Sequence, residues 1–479
     1  MHLNRRRLFS ALAGVASATA ATPVLARHGR FGDDDEVAKK WRGETAPKEA
    51  YSMLIRDVAP RTSVDGNALG LKPNAVEDQA RAFQHAIDYA AAARAVLLLT
   101  PGFYRAGDLK LPSYTAIAGV PGATRIVMSG ASMMTATNCD NISIRGLILD
   151  GSDIPMQGRR GLIHISHSRS VRISDCEVVN AGGHGIMLEG VDGEVTDNTL
   201  SAADVAVFSI DARGLRIAGN TVRSAGNGGI LVWRTQPGDD GTLVIDNRIE
   251  GVAAKAGGSG EYGNAINVFR ANNVIVRGNR IRNAAFSAVR GNNASNLQIL
   301  GNTCSDLGEV ALYAEFGFEG AVIANNIVDR AALGVSVTNF NRGGRLAVVQ
   351  GNLIRNLTNK RPPGTDPNDS SGIGIGVEAD TAVTGNVIEN APYTGIAAGW
   401  GPYLRDVAIS ANVIRGAAFG VTVSVAPGAG TAVIAANLIS DVRIGAIVGM
   451  EWERVVTGDL AKDGAARYAQ LSIGGNQVR

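Results

Sequence analysis

Residues 217–222 read Ile217-Ala218-Gly219-Asn220-Thr221-Val222. A β-branched residue stands three before an Asn, and an apolar residue two after it. The same frame returns at Asn198, Asn220, Asn247, Asn279, Asn302, Asn326, Asn352, Asn386, Asn412, Asn437 and Asn476. The residue three before is Val or Ile each time, from Val195 to Ile473, and the residue two after is apolar each time, from Leu200 to Val478. Upstream the register continues with Cys176 and Leu147 in the Asn slot. So short a period means a solenoid, in which each repeat buries its apolar face only against its neighbours.

Two solenoids compete, because this frame also fits the core of a leucine-rich repeat. Three features separate them. The core positions hold Val and Ile, which favour strands. Eight residues before the Asn, where a leucine-rich repeat wants Leu, stand Ala212, Asp239, Ala271 and Ala294. A second alternating segment follows the Asn by about ten residues, as in Gly229-Ile230-Leu231-Val232 and Gly420-Val421-Thr422-Val423. Several strands per turn with Gly-marked corners describe an all-β solenoid, a single-stranded right-handed parallel β-helix running from residue 136 to 479. The Asn is expected at a corner in left-handed conformation, its amide stacked on the Asn of the next rung.

The flanking segments have their own signals. Val76, Ala80, Phe83, Ile87 and Ala90 form one apolar helical face, predicting a helix over Asp78 to Ala93. A helix there can cover the exposed core of the first rung, so residues 63–135 read as an N-terminal capping module. The chain opens with Arg5-Arg6-Arg7-Leu8-Phe9, an apolar stretch from Leu12 to Ala21, and Val24-Leu25-Ala26. That is the layout of an export signal over residues 1–26, and Arg6-Arg7-Leu8-Phe9 resembles a twin-arginine core. The expectation is a periplasmic or secreted protein that meets the twin-arginine translocation machinery during export. Residues 27–62, with the charge run Asp33-Asp34-Asp35-Glu36, read as linker. No later segment is apolar for the length a membrane span needs. Arg5, Arg6 and Arg7 are the only charges before Ala26, and without them the formal charge drops from +2 to −1. With no basic block, nucleic acid is not expected as a partner. Cys139, Cys176 and Cys304 lack metal-ligand spacing, and the simplest reading is buried free thiols.

Residues 63–125 resemble the capping module of pectate-lyase-like β-helix proteins, and the array resembles the pectin-lyase fold, including relatives of alginate epimerases. Together with the leader, the chain resembles a family of twin-arginine-translocated repeat proteins of unknown function. The resemblance implies the fold. It implies no single activity, since that superfamily hosts lyases, epimerases, hydrolases and non-enzymes.

Side chains of the second alternating segment point in and out in turn. Counting from the Asn gives one outward column of His164, Met187, Ser209, Leu231, Asn267, Arg290, Tyr313 and Ser336. Its neighbour holds Ser166, Glu189, Asp211, Trp233, Phe269, Asn292, Glu315 and Thr338, with Arg234 and Arg270 just after it. Exposed Trp233, Phe269 and Tyr313 would offer platforms to sugar faces, and the arginines and carboxylates would bind acidic groups and hydroxyls; Asn267 and Asn292 add polar contacts. A solvated face with a few salt bridges is the bland alternative. Two insertions, Gly251 to Asn264 and Lys360 to Ser371, leave the same side roughly 19 Å apart and could wall a groove.

Three chemistries fit a polysaccharide partner. A lyase or epimerase of an acidic polymer must neutralise a carboxylate, with Arg234, Arg270 or Arg290, and move the adjacent proton, with Tyr313 or His164. A glycoside hydrolase needs two carboxyl groups, for which Glu189 and Asp211 are the candidates, with Glu315 a further carboxylate. A cell-surface reader needs only binding. His164-Ile165-Ser166-His167 is too short a cluster for zinc, Asp150 and Asp153 read as a turn before a Ca²⁺ site, and no cofactor motif is evident.

Overall fold

A computed structural model describes residues 62–258, 260–363, 365 and 370–479. The leader and all of the linker except Thr62 lie outside the described residues. From Thr62 on, the chain winds a right-handed parallel β-solenoid. Each full rung carries three short strands, so three ladders run the length of the array. The first ladder, before the Asn, stacks 16 strands from Ser63–Asp65 to Leu471–Gly474. The second follows the Asn, for example Thr221–Ala225 and Arg248–Val252. The third holds the outward columns, from Gly161–Ser166 through Leu333–Val337 and beyond. Its strands pair in parallel, as in Ile266 with Val289 and Val289 with Leu312. Among the described residues no α-helix lies between successive rungs from residue 93 to 459, and a single 3-10 turn, Phe340–Arg342, interrupts them, which settles the choice between solenoids. The described α-helices are Ala80–Ala92 and Leu460–Asp463, one near each end.

The core is built from the recurring frame. Val195, Ile217, Val244, Val276, Ile299 and their successors to Ile434 are fully buried, and so are Leu200, Val222, Cys304, Val328 and Ile354. β-branched side chains stack well at one position on successive rungs because every rung presents the same pleat to its neighbour.

The Asn residues form the expected ladder. Asn302 Nδ2 donates to Asn326 Oδ1 at 3.0 Å and to the Val276 carbonyl at 3.0 Å. Its own Oδ1 accepts the backbone N–H and the side-chain amide of Asn279, both at 2.9 Å. The pattern runs without a break from the Cys176 N–H, which donates to Asn198, to Asn476. One detail differs from expectation. The Asn is not the left-handed residue; the residue before it is, at Asp197, Gly219, Asp246, Gly278, Gly301 and Asn325. The corner's positive φ is taken one position earlier, where Gly, Asp and Asn tolerate it. That turn aims the Asn side chain inward along the stack.

Both ends are closed. Phe83, Ala86, Ile87 and Ala90 of the N-terminal helix join the solenoid core. Val76, assigned to that face from the sequence, precedes the helix and is exposed. Residues 63–135 are more than a plug, since Ser63–Asp65, Val96–Leu98 and Ala116–Ala118 form the first strands of the first ladder. At the far end an antiparallel pairing of Leu438–Glu451 with Arg454–Asp459 and the short helix carrying buried Leu460 complete the last rung, which sequence reading did not foresee. Cys176 and Cys304 are buried free thiols, and burial pushes them up to about 11 and about 12. Cys139 is free and only half-buried.

The ladder predicts a stability effect. Asn302→Leu removes the acceptor of the Asn279 backbone N–H and of one Asn279 amide N–H in a dry corner, while Asn326 Oδ1 keeps the backbone N–H of residue 302. We expect a loss of about 2–4 kcal/mol, from about 1–3 kcal/mol for each buried group left unsatisfied and partial relaxation. Urea denaturation of the variant against the parent reads it; coincident curves would mean that the ladder contributes nothing.

Candidate functional site

The ladder register fixes which third-ladder side chains share a column. The first outward column is His164, Met187, Phe208, Leu231, Asn267, Arg290, Tyr313 and Ser336. The second is Ser166, Glu189, Ile210, Trp233, Phe269, Asn292 and Glu315. Counting from the Asn therefore fails on one rung. The connection after Asn198 is one residue shorter than on neighbouring rungs, and a one-residue slip exchanges the faces. Ser209 is buried on the core side, opposite Leu188 and Val232. Asp211 sits in the following corner at φ 54°, where its carboxylate accepts from the Thr235 N–H at 2.9 Å and hydroxyl at 2.6 Å. Glu189 faces Ile210, so the proposed Glu189–Asp211 carboxylate pair has no counterpart in the register.

The middle of the strip is an internal ion cluster and not an open groove. Arg290 and Tyr313 do point outward on adjacent rungs, with the guanidinium 5.2 Å from the ring centre. Yet Arg290 is only 6% exposed. Its Nε donates to Glu315 Oε1 at 2.6 Å, and its Nη1 lies 3.6 Å from buried Glu309. Asn292 donates to the same Glu315 oxygen at 2.9 Å. The second insertion lies against this level, with Arg361 Nη1 donating to Glu309 at 3.1 Å and Pro362 close to Gly308. Burial works against the Arg290 charge, but Glu315 and then Glu309 outweigh it and hold the guanidinium more firmly protonated than usual. Burial, then Glu315, pushes the Tyr313 phenol well above its ordinary range. Arg290 is thus committed to two carboxylates of its own chain, and a phenol so hard to ionise is a poor general base.

The other arginines are also engaged. Arg234 donates to the Ala212 carbonyl at 3.3 Å and lies 3.9 Å from Asp240, which is buried and whose pKa burial raises. Arg270 donates to the Thr235 carbonyl at 2.9 Å and stacks 4.7 Å over Phe269. Asn267 is buried, and its amide donates to the Gly260 and Glu261 carbonyls, pinning the first insertion to the strand.

The open part of the strip lies nearer the N-terminus. His164 Nε2 stands 3.5 Å from Glu189 Oε1 on the next rung, both half-exposed. Beside them runs an aromatic row: Phe208 to Trp233 at 5.0 Å, edge to face, and Trp233 to Phe269 at 5.3 Å. Trp233 and Phe269 are half-buried, while Phe208 is covered, so the expected exposed trio with Tyr313 is not one patch. Arg159, in the connection before Gly161–Ser166, reaches over Phe208 and Trp233 and lies 3.6 Å from Glu261. Arg159, Glu261, His184, Glu309 and Arg361 were missed from sequence. His184 opens a third-ladder strand and Glu309 immediately precedes one, at strand ends where the alternation does not fix direction; Arg159 and Arg361 arrive from connections that no periodicity describes. His184 is buried against Phe208 and 3.7 Å from Asp204. His167 lies in a corner at φ 49°. Asp150 accepts from the Ser152 N–H and from Arg125, as a turn residue does. Among the described residues no group of three or more His, Cys, Asp or Glu is placed to hold a metal ion, and no helix is long and apolar enough to cross a membrane.

The family described as right-handed beta helix region matches residues 117–238 and 235–414, and the chain belongs to it. No curated protein sequence matches the chain. Among solved structures it is similar to a mannuronan C-5 epimerase A-module of Azotobacter vinelandii, at 16% identity over 87% of this chain and 99% of that one, TM-score 0.39. It is also similar to a surface adhesin of Streptococcus pneumoniae, at 15% identity over 80% and 91%, TM-score 0.45. A third is the catalytic unit of an alpha-1,3-glucanase of Streptomyces thermodiastaticus, at 15% over 88% and 69%, TM-score 0.46. At these identities the likeness is one of fold.

Two predictions follow from the ion cluster and from His184. Arg290→Met removes the cation shared by two buried carboxylates and should cost about 3–5 kcal/mol, as breaking a buried pair does; an unchanged urea midpoint would show Glu309 and Glu315 to be otherwise neutralised. Burial, resisted by Asp204 and aided by Arg159 and His164, lowers the His184 pKa below its ordinary 6.5. The folded state therefore binds its proton less well than the unfolded chain does. Its contribution is present above that ordinary value and is lost as pH falls through the range below it. Thermal melting between about pH 7.5 and about pH 5 should show a fall that His184→Gln reduces.

Proposed function

We propose that the open part of the third face binds an acidic polysaccharide, and that His164 and Glu189 exchange a proton with it in a lyase- or epimerase-type reaction. The observation that carries this is the coincidence, within five rungs or roughly 19 Å, of a half-exposed imidazole–carboxylate pair with half-exposed Trp233 and Phe269. Trp233 and Phe269 offer faces to sugar rings. Arg159 and Arg270, held at those rings, are the cations nearest a bound carboxylate group. Glu189 can hold the His164 ring in the orientation from which it takes the proton next to that carboxylate. The hydrolase alternative asks for a second carboxylate beside Glu189, and the register puts Ile210 there. Arg6-Arg7-Leu8-Phe9 and the apolar stretch after it support export by the twin-arginine route, to the periplasm or beyond, where such polymers are met.

A panel of acidic and neutral bacterial polysaccharides tests the reading, with binding followed by tryptophan fluorescence and products by unsaturated ends, reducing ends and NMR. We expect binding confined to acidic polymers. Trp233→Ala should weaken it at least about tenfold, or about 1.4 kcal/mol. His164→Ala should abolish turnover while leaving binding within about threefold. Binding without turnover in the parent would leave a polysaccharide reader. Equal binding of neutral polymers, or an unaltered Trp233→Ala, would remove the case for this face.

A further inference from the structure

The outer surface changes character along the solenoid on faces that the proposed site does not use. One outward column of the second ladder runs Glu177, Thr199, Thr221, Arg248, Arg280 and Thr303 on its early rungs. On the next five rungs it becomes Ile327, Leu353, Val387, Val413 and Leu438. Ile327, Val387 and Val413 are 39%, 42% and 38% exposed. Around the Asn corner the first ladder, mixed on earlier rungs with Arg216, Leu243, Ile275 and Gln298, presents only Val322, Val348, Ala382, Ala408 and Val433 outward on these rungs. An aliphatic row stacked on five rungs is a contiguous patch of the kind that marks an interface.

Beside the aliphatic row, two residues further along each strand, stand Asp329, Arg355, Glu389 and Arg415. Their signs alternate. This order decides what the face fits. We infer that the second ladder over these rungs binds a second copy of this chain, the two solenoid axes antiparallel about a two-fold between the Arg355 and Glu389 rungs.

The argument is one of symmetry. Two identical flat faces meet isologously only about an axis in the plane between them. If that axis lies along the solenoid, each rung meets its own copy, and the charged row meets the aliphatic row, its own like charges, or, when the aliphatic rows meet, nothing. If it lies across the solenoid, rung order reverses and each row meets itself. The aliphatic rows then pack together, with Ile327 against the partner copy's rung of 413 and Leu353 against that of 387. The charged row, reversed, places every sign opposite its complement. Asp329 already holds Arg330 and Arg355, and Arg415 holds Asp441, so most of the discrimination falls on exposed Glu389 and on Arg355, whose exposed guanidinium is shared with Asp329 at 3.2 Å. The first-ladder row borders the same face around the corner and adds apolar rim.

Sedimentation equilibrium of the purified protein across the micromolar range tests the inference, with circular dichroism confirming the fold of each variant. The parent should be a dimer. Val387→Asp, at an exposed side chain, should dissociate it. Arg355→Glu sets like charges against each other twice and should raise the dimer Kd at least about tenfold. Mixing Arg355→Glu with Glu389→Arg should give a heterodimer with a Kd within about threefold of the parent, because 355 and 389 stay like-charged neighbours within each chain and only the contact across the antiparallel register becomes complementary. A monomeric parent, an open-ended polymer, a dimer indifferent to Val387→Asp, or a mixture of the two charge variants that associates no better than Arg355→Glu alone would each overturn it.

Discussion

A buried primary amide has two donors and an acceptor that must all be met once water is gone. In this chain each such amide is met by the same groups one rung away. From Asn220 to Asn437 the oxygen of each ladder Asn takes two N–H groups of the preceding Asn, and its nitrogen reaches one carbonyl behind and one amide oxygen ahead, as Asn302 does with Val276 and Asn326. A rung displaced by one residue would leave those groups bare on both neighbours. The ladder thus locks the phase of the stack at one corner, and the interior Val and Ile columns keep their alignment because that corner does. Length can then vary elsewhere without cost to the lock. Asn247 and Asn279 are 32 residues apart, and Asn352 and Asn386 are 34, against 23 between Asn279 and Asn302, yet the amide hydrogen bond is 2.9 Å in all three pairs.

This division explains which parts of the fold and site could be read from the chain. Close to the Asn, position determines environment, so the core columns, the ladder and the strand identity were legible. The left-handed residue was misplaced by one, although Gly219, Gly278 and Gly301 stand in front of their Asn in plain view; Gly was read as a corner marker and its φ was not assigned. Eleven residues downstream of the corner the lock has weakened. There the connection after Asn198 is shorter by one, and Val205-Ala206-Val207-Phe208-Ser209-Ile210 offers no polar alternation to correct the count, because the outward Phe208 on that rung is itself covered by Arg159. Ser209 and Asp211 were assigned outward for that reason.

A second loss of legibility has a different cause. Outward is not the same as exposed. Arg290, Glu315 and Asn267 occupy the predicted columns, yet the insertions that were read as groove walls lie over them. Periodicity gives direction relative to the solenoid core and carries no information on what a distant connection brings back. The strip was expected to be richest in function where it is richest in charge. In the folded chain those charges satisfy one another, since Arg placed between two buried carboxylates is more favourable than any of the three alone in a medium of low dielectric. The chemistry left to solvent is the sparser group around His164 and Glu189.

The same logic bears on the aliphatic rows of the later rungs. An outward position in a solenoid is under no demand from the core, since neither the ladder nor the Val and Ile columns depends on it. A hydrophobic side chain at one such position is unremarkable. Five in register from Ile327 to Leu438, beginning where Thr303 ends a polar run on the same column, are a pattern that folding does not require. A row flanked by charges of one sign would suit an oppositely charged partner. Alternating signs suit a surface with the same period in reverse order, and the surface certain to have rungs at this spacing is another copy of the solenoid.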